Sequence, residues 1–432
     1  MKKINIGLIG FGNVGAGVVK ILRDKKAFLS EKTGLEISLK KVCDQDLISK
    51  RNISIDKSLL TKDAKEVIND PQIDIIVELI GGIHPAKEYI AESLKKGKSV
   101  VTANKALLAQ EGRELFALAR DRGKSIYFEA SVGAGIPIIK SLREGLVANN
   151  FYSIFGIVNG TSNFILSEMS LNNRTFADAL RQAQIKGFAE KDPALDIEGI
   201  DSAHKLILLT YLCFGRLVAL GDIFIEGISQ ISLADVNYAK ELGFEIKLLA
   251  IAKKEDDELE VRVHPTLIPK SHLLASVGGV FNAIYVSGDL AGDLLFYGPG
   301  AGQLSAASGV VSDLVDLAQG ITAGLFRTTL NIILDKSINK LRKIEEAQSR
   351  YYIRFMAQDK PGVLAKVSGV LAKFGISIAS VTQKERTARF EAVPIVMLIH
   401  EAKEKNLRAA LKIINRLEII KQKSVAIRME QV

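Results

Sequence analysis

The chain has no tryptophan, only two cysteines and only five histidines among its 432 residues. Cys43 and Cys213 give neither a disulfide framework nor a zinc-ligand spacing, and so sparse a use of thiols suits a reducing compartment. The histidines make no His-x-x-x-His pair and no Cys/His set, so no catalytic zinc is expected. Gly-x-Ser-x-Gly is missing as well, which removes the nucleophile elbow of serine hydrolases. No apolar run is long enough to span a bilayer, since the one after Lys205 stops at Arg216. The opening MKKINIGLIG has a short apolar part that runs straight into a glycine-rich turn, so it is read as a strand and not as a signal peptide. Asn159-Gly-Thr161 and Asn173-Arg-Thr175 match glycosylation sequons, which mean nothing in a chain expected in the cytoplasm. The net charge of +9 is spread without a long basic block. Neither nucleic acid nor a membrane is therefore indicated as a partner, and anionic small ligands account for the balance.

What is present is 47% hydrophobic and 25% charged, the make-up of a soluble globular protein. The length asks for several domains, because single cores rarely grow past roughly 250–300 residues. With zinc and serine chemistry set aside, lysine, aspartate and glutamate must carry any reaction together with a bound cofactor.

Ile4 to Ile9 is a short, nearly continuous apolar run, as expected for a parallel strand covered on both faces. Gly10-Phe-Gly12-Asn-Val-Gly15 follows, and then the helical pattern Val18, Val19, Ile21, Leu22. Gly-x-Gly-x-x-Gly alone is weak, but between a strand and a helix it reads as a dinucleotide turn. The first Gly makes the tight turn, the second lets the backbone approach a pyrophosphate, and the third allows close helix–strand packing. The helix N-terminus then faces the phosphates. A second strand, roughly Ile37 to Val42, ends at Asp44. An acid there binds the ribose 2′-OH of NAD and repels a 2′-phosphate. Lys40, Lys41 and Arg51 lie near and favour NADP instead, so the choice between NAD and NADP stays open. Ile73 to Ile80 is a further buried strand ending in Gly81-Gly82. Ser99 to Thr102 is the next, ending in Ala103-Asn104-Lys105 before a helix over 106–120. Ligands in open α/β sheets bind beyond the carboxyl ends of the strands, so Gly10, Gly81 and Lys105 should line one crevice. Ile126 to Glu129 closes the sheet.

Phe151 to Val158 reads as a strand. Asn159-Gly-Thr-Ser-Asn163 then places side-chain donors and acceptors at a helix start, suited to a polar substrate or to a plain N-cap. Thr175-x-x-Asp178 caps a helix that Gly187 ends, and this delivers the chain to the densest cluster of acids. Within Ala183–Lys205 stand Glu190, Asp192, Asp196, Glu198, Asp201 and Lys205, followed by an apolar run that reads as a buried helix. Asp201 and Lys205 are four apart, which puts them on one helix face. On pattern alone the plainer account is a capped helix start with surface charges. The functional account needs something for the cluster to act on, and the dinucleotide crevice supplies it. Strands such as Leu259 to Val263 suggest a mixed α/β second domain. Gly298-Pro-Gly-Ala-Gly302 opens a helix over about 303–319 and is a second glycine-rich helix start that can return to the cofactor.

Lys336 to Arg350 is charged and reads as a helical linker. Beyond it come a strand at Tyr351 to Ala357, the loop Gln358-Asp-Lys-Pro-Gly, and a helix with Val363, Val367, Val370, Leu371 and Phe374 on one face. Strands at Ile376 to Val381 and roughly Ala388 to Ile399, a helix with Leu407, Leu411, Ile414 and Leu417, and a last strand at Val425 to Met429 complete the order β-α-β-β-α-β, which is ferredoxin-like.

Together these pieces resemble the homoserine dehydrogenases across essentially the whole chain. The stretch Ala183–Lys205 matches that family's long signature at Ala183, Gly187, Phe188, Asp192-Pro193, Asp196, Gly199, Asp201 and Lys205. Gly-Phe-Gly-Asn-Val-Gly, Asn104-Lys105 and Glu129-Ala-Ser-Val-Gly-Ala-Gly-Ile-Pro137 agree with it. The last segment looks like an ACT domain, on Asp359-x-Pro361-Gly362-Val-Leu-Ala365 and Gly375-Ile-Ser-Ile. One departure is Leu304-Ser305, where the family usually shows Pro-Thr.

The resemblance implies an α/β fold in three parts: a Rossmann-type doubly wound parallel sheet over 1–130 with 300–345 packing back on it, a mixed α/β catalytic and dimerisation domain over 131–300, and an ACT regulatory domain over 346–432. It implies reversible NAD(P)H-dependent reduction of L-aspartate 4-semialdehyde to L-homoserine, on the way to threonine, methionine and isoleucine. Lys205 is implied as the proton donor, with Lys105 beside it. Gly187, Glu190 and Asp201 are implied in substrate binding, with Glu190 taking the ammonium group. Gly10, Phe11, Gly12, Asn13, Val14, Gly15, Ala103, Lys105 and Gly302 are implied in cofactor binding. Glu129, Val132, Ala134 and Ile136 are implied as a Na⁺ site, largely through backbone carbonyls. An amino-acid effector, threonine first, and a homodimer or homotetramer complete the expectation.

Overall fold

The apolar run that opens the chain forms β1 (Lys2–Ile9), and in the computed structural model it lies at the centre of a parallel sheet. Residues 2–49, 51, 53–324, 338, 340–383 and 392–431 are described. After β1 come α1 (Asn13–Asp24), α2 (Lys26–Thr33), β2 (Leu35–Cys43), β3 (Leu60–Thr61), α3 (Ala64–Ile68), β4 (Ile75–Glu78), α4 (Ala86–Lys95), β5 (Ser99–Thr102), α5 (Lys105–Asp121), β6 (Ile126–Tyr127) and α6 (Ile138–Lys140). The strand order is β3-β2-β1-β4-β5-β6 and every pairing is parallel. Both faces are covered, so Ile6, Leu8, Ile75, Ile76, Val77 and Val101 lose all exposure. The long interval between Gly15 and Asp44 is filled by α2, a helix with no buried residue.

The middle of the chain forms β7 (Phe151–Ile157), α7 (Gly160–Asn172), α8 (Phe176–Ile185), α9 (Ala194–Ile197), α10 (Ile200–Phe214), β8 (Phe224–Ile225), α11 (Leu233–Glu241), β9 (Phe244–Glu255), β10 (Glu258–Pro269), β11 (Phe281–Gly288), β12 (Gly292–Pro299) and α12 (Gln303–Thr322). The rest comprises β13 (Lys340–Arg342), β14 (Gln348–Ala357), α13 (Val363–Lys373), β15 (Ile378–Gln383), β16 (Val393–Lys403), α14 (Glu404–Ile414) and β17 (Ile420–Met429). The helix expected over Lys336 to Arg350 is corrected here: its described part is β13, a single 3₁₀ turn at Ile344–Glu346 and the start of β14. β13 pairs in parallel with β10, and Arg342 meets Glu255 and Glu258 at 2.7 Å, so the charges serve cross-strand ion pairs and not a helix face. Of the strand expected over 388–399, residues 388–391 lie outside the described residues.

The chain divides into two compact units, here taken over their described residues. One comprises Met1–Tyr152, His204–Leu220 and Asn282–Lys336; the other comprises Ser153–Ala203, Gly221–Phe281 and Ser337–Val432. In the first, α12 lies along α1. A Cβ at Gly17 would stand 2.9 Å from Gln303 and 3.0 Å from the Ala307 methyl, so glycine sets that approach. Ala307, Val310, Leu314 and Leu317 of α12 join the core beneath β1.

In the second unit the strand order is β7-β9-β10-β17-β14-β16-β15, with β8 and β13 also on β10. Its last four strands, β17-β14-β16-β15, are antiparallel and carry α13 and α14, the ferredoxin-like arrangement. This part has its own core, built on Ile353, Phe355, Val367, Leu371, Leu407 and Ile414. It is nonetheless hydrogen-bonded into the larger sheet, since Thr266 and Leu267 of β10 pair in parallel with Arg428 and Met429.

A buried ion pair makes a second connection. Ser232 and Asp235 form a capping box at the start of α11. Arg354 of β14 donates to the fully buried Asp235 at 2.6 Å, and the Tyr352 hydroxyl donates to the same carboxylate at 3.1 Å. Removing one partner of such a pair leaves the other buried and uncompensated. Asp235→Ala should therefore cost on the order of 3–5 kcal/mol in a urea titration, and Asp235→Leu combined with Arg354→Met should recover much of it.

Candidate active site

The first unit presents a dinucleotide cradle. Gly10 leaves β1 at φ +102°, and a Cβ there would lie 2.6–2.8 Å from the Leu79–Ile80 backbone, so only glycine makes this turn. At Gly15 a Cβ would lie 2.2 Å from the Gly10 carbonyl oxygen, so the third glycine lets α1 close on the strand. Around the Cβ position of Gly12 there is open space to 4 Å, and no side chain caps the first turn of α1. Open space beside uncapped N–H groups at a helix start is what a pyrophosphate requires.

At the end of β2, Asp44 is turned inward. Its carboxylate accepts the Phe11 N–H at 2.5 Å and the Asp46 N–H at 2.8 Å. Arg51 lies with its guanidinium 4.7 Å from the Phe11 ring centroid and 3.6 Å from Asp44, and it donates to the Asp46 carbonyl at 2.6 Å. Lys41 is held by Glu66 at 2.8 Å.

The ends of β4 and β5 are joined by an acid that the pattern of the sequence concealed. Glu78 is fully buried; it accepts the Thr102 hydroxyl at 2.7 Å and the Ile80 N–H at 2.8 Å. Burial pushes its carboxyl up from the usual range. Asn104 continues the network: its N–H donates to Thr102, its side-chain oxygen caps α5 by accepting the Leu107 N–H at 3.1 Å, and its amide donates to the Gly82 carbonyl at 2.6 Å. The turn that carries Ala103 and Lys105 is thus fixed by a chain of bonds from Glu78. Lys105 is the first residue of α5. Further along α5, the Phe116 ring stacks on Tyr211 of α10 at 5.5 Å, and α10 also carries Lys205, which is only 9% exposed.

Glu129 to Ile136 forms a tight loop over α12. The Glu129 carboxylate accepts the N–H groups of Ile139 and Lys140, both at 2.8 Å, while its own N–H donates to Asp313 at 2.8 Å. Burial moves the Glu129 carboxyl up to about 7. Gly133 at φ +70° and Ala134 at φ +51° turn the backbone, and Gly135 and Gly309 admit the close approach to α12. The Leu304-Ser305 pair stands in the first turn of α12, which begins at Gln303 after Gly302 at φ +124°, and the Ser305 hydroxyl packs where a Cβ on Gly135 would stand.

The second unit holds Gly187, Glu190 and Asp201. Gly187 ends α8 at φ +72° and Glu190 is exposed. Asp201, on α10, is buried and accepts the Asn159 side-chain amide at 2.9 Å. The same amide donates to Asp196 at 2.7 Å, and the Asn159 side-chain oxygen caps α7 by accepting the Ser162 N–H at 2.8 Å. Ser162 in turn donates to the Asp196 carbonyl at 2.8 Å, and Thr161 donates to the Phe188 carbonyl at 2.7 Å. Asp196 therefore shapes the loop, while Asn159 organises the whole cluster. The expectation of a donor-rich helix start held Asn159 only as one of several polar groups; its tie to Asp201 is long-range and carries no local signal.

These features agree with the comparisons to known proteins. Residues 10–129 match the NAD-binding domain of homoserine dehydrogenases, 137–315 match homoserine dehydrogenase itself, and 351–419 match the ACT domain. A homoserine dehydrogenase of Neisseria gonorrhoeae is 42% identical over 100% of this chain and 99% of its own. The chain belongs to the homoserine dehydrogenase family. The crystal structure of a homoserine dehydrogenase from Thiobacillus denitrificans superposes with a TM-score of 0.91 at 43% identity, covering 100% of this chain and 99% of that one. A hyperthermophilic archaeal homoserine dehydrogenase in complex with NADPH matches at a TM-score of 0.61 and 28% identity, over 73% of this chain and 97% of that one.

The protein is accordingly a nicotinamide-dependent oxidoreductase that interconverts L-aspartate 4-semialdehyde and L-homoserine, with an ACT domain at residues 351–419. The expected α/β fold, with its Rossmann-type sheet and ferredoxin-like unit, is the one observed. No described helix is long and apolar enough to cross a membrane.

Glu78 gives a direct test of how the cofactor crevice is held. Glu78→Ala strands the Ile80 N–H and the Thr102 hydroxyl in a dry site, at about 1–3 kcal/mol for each. Chemical denaturation should show a loss of roughly 2–4 kcal/mol, and Glu78→Gln, which keeps an acceptor, should lose less.

Proposed function

We propose that Lys205 is the proton donor of the reaction and that Lys105 acts beside it. When bound, the nicotinamide supplies hydride to the aldehyde carbon. Negative charge then gathers on the carbonyl oxygen, and an ammonium group next to it stabilises the charge while giving up its proton. Lys205 suits this role because it is a lysine held at 9% exposure on a helix whose apolar face anchors it. In the reverse direction the same amine takes the proton from the hydroxyl of homoserine. Lys105, at the cap that Glu78 and Asn104 fix, orients the carbonyl and the nicotinamide edge.

Glu190 and Asp201 bind the substrate, with Glu190 on the α-ammonium group and Gly187 giving the loop its left-handed turn. The observation that carries this reading is the Asn159 amide, which holds the Asp201 carboxylate at 2.9 Å one helical turn before Lys205. Lys205→Ala should lower kcat by about 10²–10⁴-fold, measured as NAD(P)⁺ reduction with L-homoserine. Activity unchanged by that substitution would remove Lys205 from the role.

Of the two cofactors, the site favours NADPH. The carboxylate that would take a ribose 2′-OH is occupied by the Phe11 and Asp46 N–H groups, and Arg51 stands beside it as a partner for a 2′-phosphate. The archaeal relative in complex with NADPH supports the same choice. Arg51→Ala should raise KM for NADPH by about 10–100-fold, the worth of a charge-assisted bond, and should move KM for NADH much less. Equal effects on both would overturn the preference.

Glu129, Val132, Ala134 and Ile136 are the residues that the family resemblance assigns to Na⁺; backbone carbonyls are hard oxygen donors of the kind such a cation takes, and the Glu129 carboxylate, bonded to the Ile139 and Lys140 N–H groups, holds the loop that carries them. The ACT domain takes an amino-acid effector, threonine first. Its edge strand β15 offers ladder groups to a second copy, consistent with a homodimer or homotetramer in the cytoplasm. Saturating L-threonine should change the rate or the sedimentation of the protein; no change in either would overturn the regulatory reading.

A further inference from the structure

A cavity of about 340 Å³ lies within the second unit, bounded by the second half of α7, the start of β9 and the turn at Ala275–Gly278. It is distant along α7 from Asn159, since Leu166 to Leu171 line it, and it lies outside the residues that match the ACT domain. Three charged side chains face it: Lys247, Lys270 and Glu245.

Lys247 is the unusual one. Its side chain is only 4% exposed, and its ammonium donates to the Val277 carbonyl at 2.6 Å. Among the described residues it has no other hydrogen-bond or ion-pair partner, although an ammonium carries three donors. A buried charge so poorly matched is costly unless an anion meets it. Burial accordingly pushes the amine down to about 8, with Glu245 opposing. Lys270, exposed at the mouth, donates to the Lys240 carbonyl at 2.9 Å. Glu245 accepts the Ser170 hydroxyl at 2.9 Å and has acceptor capacity to spare.

We propose that this cavity is a second amino-acid site, which holds the carboxylate of a small α-amino acid on Lys247 and Lys270 and its ammonium group on Glu245. The charge count decides the class. A dicarboxylate would set its second acid against Glu245, and a plain amine would leave Lys247 unmatched. The volume stands at the small end of ligand pockets, roughly 300–1,000 Å³.

The site also has a route to α7. The Val277 carbonyl that accepts from Lys247 accepts from the Asn163 amide as well, at 3.2 Å. Asn163 holds the Gly279 and Phe281 carbonyls too, at 3.0 and 3.1 Å, and it stands in the first turn of α7 just after Asn159. A carboxylate that draws Lys247 away from Val277 changes the bonding of the segment on which that first turn rests.

The test is calorimetric titration of the full-length protein with L-alanine, L-threonine and L-methionine as probes. At least one should bind, with Kd raised about tenfold or more by Lys247→Met and by Glu245→Gln, the loss of one charge-assisted bond. Lys270→Ala, at an exposed position that cannot upset folding, should raise Kd in the same direction. The bound probe should also shield Lys247 from reductive methylation, read by peptide mass spectrometry. No binding by any probe would overturn the site. Binding that all three variants leave unchanged would overturn it equally, because it would place the ligand in the ACT domain or at the catalytic residues.

Discussion

The side chain of Asn159 meets three obligations at once. Its oxygen satisfies an N–H at the start of α7, and its amide holds both Asp196 and Asp201. A helix start has unsatisfied N–H groups, and a buried carboxylate needs donors; one planar amide with both kinds of atom answers the two demands in a fixed geometry. Aspartate in its place would cap the helix but repel the two acids, and serine would reach only one of them. The orientation of Asp201 therefore follows from the cap on a different helix.

The same physics recurs in the first unit with the charges reversed in role. Glu78 and Glu129 are buried acids whose oxygens accept from groups at the ends of elements: the Ile80 N–H and the Thr102 hydroxyl for Glu78, the Ile139 and Lys140 N–H groups for Glu129. Each secures a local turn: the one that ends β5 at Ala103–Asn104 in one case, the Val132–Ile136 loop in the other. Both carboxyls are raised by burial. Both acids thus serve the packing of turns at the ends of elements. Glu190, by contrast, is exposed at a loop.

Local signals carried most of the fold. Apolar runs flanked by glycine placed β1, β2, β4 and β5, and the 3.6-residue stripe placed α13 and α14, because burial on both faces or on one stripe leaves a pattern in consecutive residues. α2 was missed for the converse reason: it buries nothing, so it has no stripe to read. The segment before β14 was misread because alternating charge serves a helix face and an edge-strand ion-pair ladder equally well; only Glu255 and Glu258, far away in sequence, distinguish them. The site was legible where it is contiguous, as in Gly10–Gly15 or Ala183–Lys205. It was opaque where it depends on partners at a distance. Glu78 sits inside an apolar run and reads as a strand residue, and the Asn159–Asp201 bond joins positions 42 apart.

Distant bonds also tie the ACT domain to the rest of its unit. The ferredoxin-like part has a core of its own and so has the packing of an independent fold. Yet β17 extends past its own sheet to pair with β10, and Arg354 reaches the cap of α11. Helix α11 packs on α7, and β9 packs on both. A backbone ladder and a buried ion pair thus join β17 and β14 to β10 and to the cap of α11. Helix α7, against which α11 and β9 pack, has its first turn capped by Asn159, whose amide also holds Asp201.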